Sequence, residues 1–308
     1  MVKVQLPISK SIANRILLLQ AIHGDPLMRV SSDMPDDVVV LHDALEKIRE
    51  MYGTPSSGVS ENGGELTLYL KNCGTALRFL QVHLARCYAG KSITLTGDHR
   101  LMERDGAPTT QTTSALLMHG ESISVSDKES PYITMTRRLT ENYRPNMADQ
   151  LERDWSAAAF WYEYITIYGG ELLLEGLTAD SIQGDRVVAE LYAVHFGVQT
   201  VFTKEGAVVR HQPSAVSHQP SVAIDFEHCP DLYPAIALTC ERLGITLHAA
   251  GTERLRYKEC DRIEAVRMHE TRRDHRMAMA LLVAGFPIDD IACIAKSYPT
   301  FFDQWSKM

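Results

Sequence analysis

At 308 residues, 45% of them hydrophobic and 23% charged, the chain has room for roughly two domains of ~150 residues, each with its own core. A net charge of −8 argues against a nucleic-acid-binding surface, while leaving room for a local basic cleft that focuses anionic substrates. The six cysteines form no CxxC pair, and no His/Cys/carboxylate group shows metal-ligand spacing, so reduced thiols and no metal are expected. With no signal peptide and no long apolar run, the expectation is a cytosolic chain that does not enter a membrane.

Val2-Lys3-Val4-Gln5-Leu6 alternates as a short strand. Ser9-Lys10-Ser11-Ile12-Ala13-Asn14-Arg15 then opens a helix, with Ile12, Ile16 and Leu19 on one face and Ser11, Asn14 and Arg15 on another. A second helix is expected over about Asp36 to Arg49 and a strand over Leu66–Leu70. Asn72-Cys73-Gly74-Thr75-Ala76-Leu77-Arg78 is a second polar helix start, where Gly74 admits a ligand close to the backbone. Ile93-Thr94-Leu95 reads as a strand, and the charged loop Gly97 to Arg104 follows it, where open sheets place ligands.

Further polar helix starts are Thr109-Thr110-Gln111, Asp154-Trp155-Ser156, Pro230-Asp231 and Arg273-Asp274-His275-Arg276, the last leading into the apolar run Met277 to Ala284. A helix N-terminus offers unpaired N–H groups and a positive dipole end, and arginine adds a fork that fits phosphate or carboxylate. Six such starts suggest one supersecondary unit used six times. Their spacings are 63, 37, 45, 76 and 43 residues, so three units are short.

On these motifs, together with Leu95-Thr96-Gly97-Asp98, Asp180-Ser181-Ile182-Gln183-Gly184-Asp185, Tyr257-Lys258-Glu259-Cys260-Asp261-Arg262 and Ala295-Lys296-Ser297-Tyr298-Pro299, the chain resembles the 5-enolpyruvylshikimate-3-phosphate (EPSP) synthase family. The resemblance runs from residue 9 to residue 299. It implies an α/β (α+β) protein, a two-domain inside-out α/β barrel built from six βαβαββ-type repeats, three of them incomplete here. The implied domains are residues 10–152, on the shikimate 3-phosphate side, and 1–9 with 153–308, with the active site in the cleft between them. The implied reaction transfers the enolpyruvyl group of phosphoenolpyruvate to the 5-hydroxyl of shikimate 3-phosphate, releasing phosphate. No cofactor is implied, the partners are these two small molecules, and the family is usually monomeric.

Roles carry over by position. Lys10, Asp231 and Glu259 match the catalytic groups: a lysine that bridges both substrates, the base for the 5-hydroxyl proton, and the acid for the methylene carbon of phosphoenolpyruvate. Lys10, Ser11, Arg15, Thr109, Thr110, Gln111, Tyr132, Asp231 and Lys258 match positions that hold shikimate 3-phosphate. Lys10, Gly74, Arg78, Arg104, Gln111, Arg262, His275, Arg276 and Lys296 match positions that hold phosphoenolpyruvate. Acid, base and ammonium suit an addition that develops cationic character at C2, and the arginines suit a departing phosphate. Gly74, without a side chain, implies a glyphosate-sensitive type.

Family members exceed 400 residues, and the motifs place the shortfall between Pro108 and Thr109, around Tyr143–Leu151 and around His269–Thr271. Either further segments belong there, or these are true deletions that strip strands from sheets and bare their edges. The alternative functions are a non-catalytic binding relative and UDP-N-acetylglucosamine enolpyruvyl transferase. The latter needs a loop cysteine that residues Gly97–Pro108 lack.

Overall fold

The opening alternation forms strand β1 (Val2–Gln5), with Val4 fully buried. The structure, a computed structural model, describes residues 1–60, 64–106, 109–124, 129–147, 151–212 and 220–308. Pro108 and residues 148–150, at two of the short spacings, lie outside the described residues. After β1 come helices α1 (Lys10–His23) and α2 (Asp36–Tyr52), then β2 (Leu66–Tyr69), α3 (Gly74–Cys87) and β3 (Ile93–Thr96). Helices α4 (His99–Glu103), α5 (Thr110–Met118), α6 (Pro131–Glu141) and α7 (Trp155–Tyr168) follow. Strand β4 (Glu171–Glu175), helix α8 (Val188–Phe196) and strands β5 (Val198–Phe202), β6 (Gly206–His211) and β7 (Ser221–Asp225) come next. Helix α9 (Tyr233–Leu243), β8 (Thr246–Ala250), α10 (Arg262–Met268), α11 (His275–Val283) and α12 (Phe301–Trp305) complete the order. No helix among the described residues is long and apolar enough to cross a membrane.

The chain divides into a continuous unit, Lys10–Leu151, and a split unit, Met1–Ser9 with Glu152–Met308. Glu152 belongs with the split unit, since its carbonyl accepts the Ser9 N–H at 2.8 Å and its carboxylate holds Ser181 and Gln183.

In the continuous unit, β2 and β3 pair in parallel from Leu66 opposite Ile93 to Tyr69 opposite Thr96, with α3 as the crossover between them. Helix α1 departs from the two-faced pattern read from its sequence. Asn14 and Arg15 are as buried as Ile12, Ile16 and Leu19, because α2, α3, α5 and α6 pack around it. The charged loop after β3 also departs from expectation. It folds into the short helix α4, which buries Leu101 and leaves His99 and Arg100 outside.

In the split unit, four strands lie in the order β1-β4-β6-β5, with β1 parallel to β4 and β6 antiparallel to both its neighbours. Gly206 sits at the β5–β6 turn with φ +150°, where a Cβ would lie 2.1 Å from the Leu174 carbonyl oxygen. Strands β7 and β8 form a parallel pair joined by α9. Helix α7 is the centre of this unit. Ala157, Ala158 and Ala159 let neighbouring elements approach, and Trp155, Phe160, Trp161 and Tyr162 are fully buried against them. Among the described residues, then, a four-stranded sheet occurs once and the other two sheets are two-stranded parallel pairs. The architecture is mixed α/β. Lys258 lies between a 3-10 turn, Glu253–Tyr257, and α10, whose N-cap is Asp261.

Candidate active site

In the continuous unit the predicted residues gather at the start of α3. Arg78, one turn into that helix, donates to the Gly74 carbonyl at 3.1 Å, to Gln111 Oε1 at 3.3 Å and to the Arg104 carbonyl at 2.8 Å. Arg104, brought back by α4, donates to the Asn72 side-chain oxygen and to the Arg100 carbonyl. Gln111 donates to Thr75 Oγ1 at 2.7 Å, and Thr109 caps α5 by accepting the Gln111 N–H at 3.2 Å. Thr110 is the first helical residue behind that cap. A Cβ on Gly74 would stand 2.6 Å from Arg78 Nη1 and 3.9 Å from both terminal nitrogens of Arg104, so glycine is what lets the two guanidinium groups close over the backbone.

Lys10 and Arg15 leave α1 in different directions. Lys10 pairs with Asp37 at 2.9 Å, and Asp37 is tied in turn to the α3 start through its carbonyl, which accepts Cys73 Sγ at 3.7 Å. Asp37 was not among the residues expected at the site. The signal for it was its place in the first turn of α2, which reads equally as an ordinary helix-start acid. Arg15 donates to Thr136 Oγ1, Ser114 Oγ and the carbonyls of Ser11 and Tyr132, joining α1, α5 and α6, and burial pulls its guanidinium down to about 10. Ser11 and Tyr132 thus enter this network by their carbonyls.

In the split unit the predicted residues meet around one guanidinium. Arg262 reaches Asp231 at 2.7 Å, Glu259 at 3.1 Å and Asp274 at 2.8 Å, with its side chain 1% exposed. Asp231 also takes Lys258 at 3.1 Å and Arg276 at 3.0 Å, while Lys296 stands 4.0 Å from Glu259. His275 is fully buried, its Nδ1 3.9 Å from Asp274. Burial opposes ionisation of Asp231, but Arg276, Lys258 and Arg262 outweigh it and hold the carboxyl well below its ordinary 3.8. Asp185, from the Gln183-Gly184-Asp185 motif, behaves oppositely: burial and the Asp231 charge push it up to about 7, against a hydrogen bond from Ser156. Asp185 and Asp274 were both missed as site residues.

The helix starts are less open than the sequence implied. Cys73, Thr109, Asp154 and Asp274 each cap their own helix, Asp154 accepting the Ala157 N–H at 3.0 Å and Asp274 the Arg276 N–H at 2.8 Å. These side chains occupy N–H groups that an anion would otherwise meet. At these four starts, the cationic groups left to meet an anion are arginine and lysine side chains. Arg273, which opens the last stretch, is solvated, with its side chain 85% exposed.

One grouping of donor atoms lies outside these clusters, among residues whose spacing in sequence does not announce it. His83 and Cys87 on α3 and His119 after α5 bring their donor atoms within 4.8 Å of one another.

The model of the family described as EPSP synthase (3-phosphoshikimate 1-carboxyvinyltransferase) matches residues 2–142, 140–270 and 268–305. The two breaks fall beside two of the short spacings. A 3-phosphoshikimate 1-carboxyvinyltransferase of Bacteroides fragilis is 28% identical over 402 aligned positions, covering 99% of this chain and 94% of the relative. That span, set against 308 residues, leaves at least 94 positions of the alignment without a residue here. One from Idiomarina loihiensis is 25% identical, covering 99% and 96%. In fold, an EPSP synthase structure from Acinetobacter baumannii superposes with a TM-score of 0.62 at 16% identity, over 99% of this chain and 95% of that one. With matches that run the length of the sequence, the chain belongs to the EPSP synthase (3-phosphoshikimate 1-carboxyvinyltransferase) family.

Proposed function

We propose that the chain transfers the enolpyruvyl group of phosphoenolpyruvate to the 5-hydroxyl of shikimate 3-phosphate, as an enzyme of the shikimate pathway. The observation that carries this reading is the Arg262 hub, which sets two candidate proton-transfer carboxylates, Asp231 and Glu259, on one buried guanidinium. Glu259 delivers a proton to C3 of phosphoenolpyruvate, C2 becomes cationic, and the 5-hydroxyl attacks it while Asp231 takes the hydroxyl proton. A carboxylate held as low as Asp231 is a weak base at rest. It accepts the proton only as the hydroxyl oxygen bonds to C2 and the proton turns acidic. The tetrahedral adduct then returns a proton from the new C3 methyl group to the Glu259 carboxylate as the C2–O bond to phosphate breaks, restoring the double bond, with the departing phosphate stabilised by arginine and lysine charge. The positions that match the family's site are Lys10, Gly74, Arg78, Arg104, Gln111 and the Thr109–Thr110 pair in the continuous unit, and Lys258, Arg262, His275, Arg276 and Lys296 in the split unit. The same reading takes the two units as domains of the family's inside-out α/β barrel of six repeats, working as a cytoplasmic monomer without a cofactor.

Phosphate release from shikimate 3-phosphate and phosphoenolpyruvate, measured beside Lys10→Met, tests the reading. Release that disappears in the variant supports it, and no release from a folded, monodisperse sample overturns it. The two-stranded sheets favour a second reading, a relative that binds phosphoenolpyruvate without turning it over. Saturable binding with no phosphate release identifies that case.

A further inference from the structure

We propose that His83, Cys87 and His119 form a binding site for one Zn(II)-type cation, separate from the enolpyruvyl-transfer site. His83 and Cys87 are four residues apart on α3 and so share one face of the helix. His119 is the C-cap residue of α5, which packs against α3, so the tertiary fold supplies the third donor. The three donor atoms lie within 4.8 Å of one another. His83 Nδ1 and His119 Nε2 are 3.4 Å apart. Two nitrogens bound at ~2.0–2.1 Å around a tetrahedral zinc stand about 3.3 Å apart, so this edge needs almost no adjustment.

In its neutral form each imidazole offers one ring-nitrogen lone pair to a cation. Tyr88 packs edge-on to His83 with ring centroids 5.5 Å apart and fixes that ring. Two imidazoles and a thiol favour zinc, cobalt or copper over magnesium or calcium, which take oxygen ligands. Three protein ligands leave a fourth position, and Cys87 and His119 are partly exposed, so solvent completes the shell. Gly74 opens the helix and Arg78 lies one turn in. His83 is nine positions beyond Gly74, about 13 Å along the axis, and five beyond Arg78, about 7.5 Å along it and about 140° round it, so the cation has a site of its own.

The test is a Co(II) titration of the metal-free full chain, followed by displacement with Zn(II). The expected result is one Co(II) per chain, with the intense visible bands of a four-coordinate site and a near-ultraviolet thiolate-to-metal band. Cys87→Ser removes the thiolate band, and His119→Ala weakens binding by about tenfold or more. Cys293→Ser, at the other partly exposed thiol, changes neither. Phosphate release stays unchanged in Cys87→Ser, so failure here is distinguishable from failure of the transferase reading. Absence of stoichiometric Co(II) binding, or a thiolate band that survives Cys87→Ser, overturns the proposal and leaves a hydrogen bond between two histidines.

Discussion

The two clusters of site residues use the same cation in opposite ways. In the continuous unit, Arg78, Arg104 and Arg15 donate to carbonyl, amide and hydroxyl oxygens, which are neutral. These bonds fix each guanidinium without cancelling its charge. In the split unit, Arg262, Arg276 and Lys258 meet Asp231, Glu259 and Asp274, and each cation faces at least one carboxylate. Lys10 is the exception in the continuous unit, paired with Asp37 at 2.9 Å; the arginine bonds named here go to neutral oxygens. The arrangement in the split unit holds acids in place, which is what proton transfer needs. On the proposed function, the arginines held by neutral oxygens would serve binding and those held by carboxylates would serve the proton transfer.

The strongest way to break this comparison is at Asp231. On the proposed function, replacing it by asparagine removes the acceptor for the hydroxyl proton, and kcat is expected to fall by about 10²–10⁴-fold with a much smaller change in KM for phosphoenolpyruvate. Steady-state phosphate release on the folded variant checks this. A KM-dominated loss would place Asp231 among the binding groups instead.

Next in size is a contrast between two arginines. Arg262→Ala strands three carboxylates around a buried gap and is expected to destabilise the protein by about 3–5 kcal/mol. Arg104→Ala loses bonds to neutral oxygens, for which about 1–2 kcal/mol is expected, and its main effect is a raised KM for phosphoenolpyruvate. Denaturant midpoints measured side by side decide the matter. Equal losses would mean that both arginines serve the fold in the same way.

A smaller effect separates the two aspartates of the split unit. Asp231 is held below its ordinary value, so its contribution to stability is present above about pH 3.8 and disappears as pH falls through its lowered value. Asp185 is raised to about 7, so its contribution is complete below pH 3.8 and is lost as pH climbs through 7. Asp185→Asn, which stays neutral, is therefore expected to gain on the parent protein between pH 5 and pH 8. The gain is on the order of a few kcal/mol, read as a difference in thermal midpoints. A difference independent of pH would show that Asp185 keeps its ordinary acidity.

The sequence showed the local parts of this site well and the tertiary parts poorly. Helix starts at Lys10, Gly74, Thr110, Trp155 and His275 followed from polar caps ahead of apolar runs, because capping is decided within a few residues. Asp37 was invisible as a site residue since its link to Lys10 crosses 27 positions, and nothing local distinguishes it from any first-turn acid. Asp274 was seen as part of an anion seat, whereas its carboxylate fills that seat and holds Arg262. His83 and His119 sit 36 positions apart and meet only when α3 packs on α5. The same holds for α1, where a polar face on paper became a buried network once four helices surrounded it. What sequence could not supply was the partner, and the partner decides whether an arginine binds or braces.

The finest test is at Gly74. A Cβ there would stand 2.6 Å from Arg78 Nη1, closer than real contacts allow, but the obstructed atom is the far end of a flexible side chain. Gly74→Ala should therefore be met by a shift of the Arg78 guanidinium away from the Gly74 carbonyl and Gln111, with the backbone unmoved. Alanine is also a better residue than glycine for a helix, which offsets part of the strain. The expected outcome is a stability change within about 1 kcal/mol, joined to a roughly tenfold rise in KM for phosphoenolpyruvate with kcat little altered. The reverse pattern, an unchanged KM and a fallen kcat, would move Arg78 from anion binding to the chemical step, and the division of labour between the two units would no longer hold.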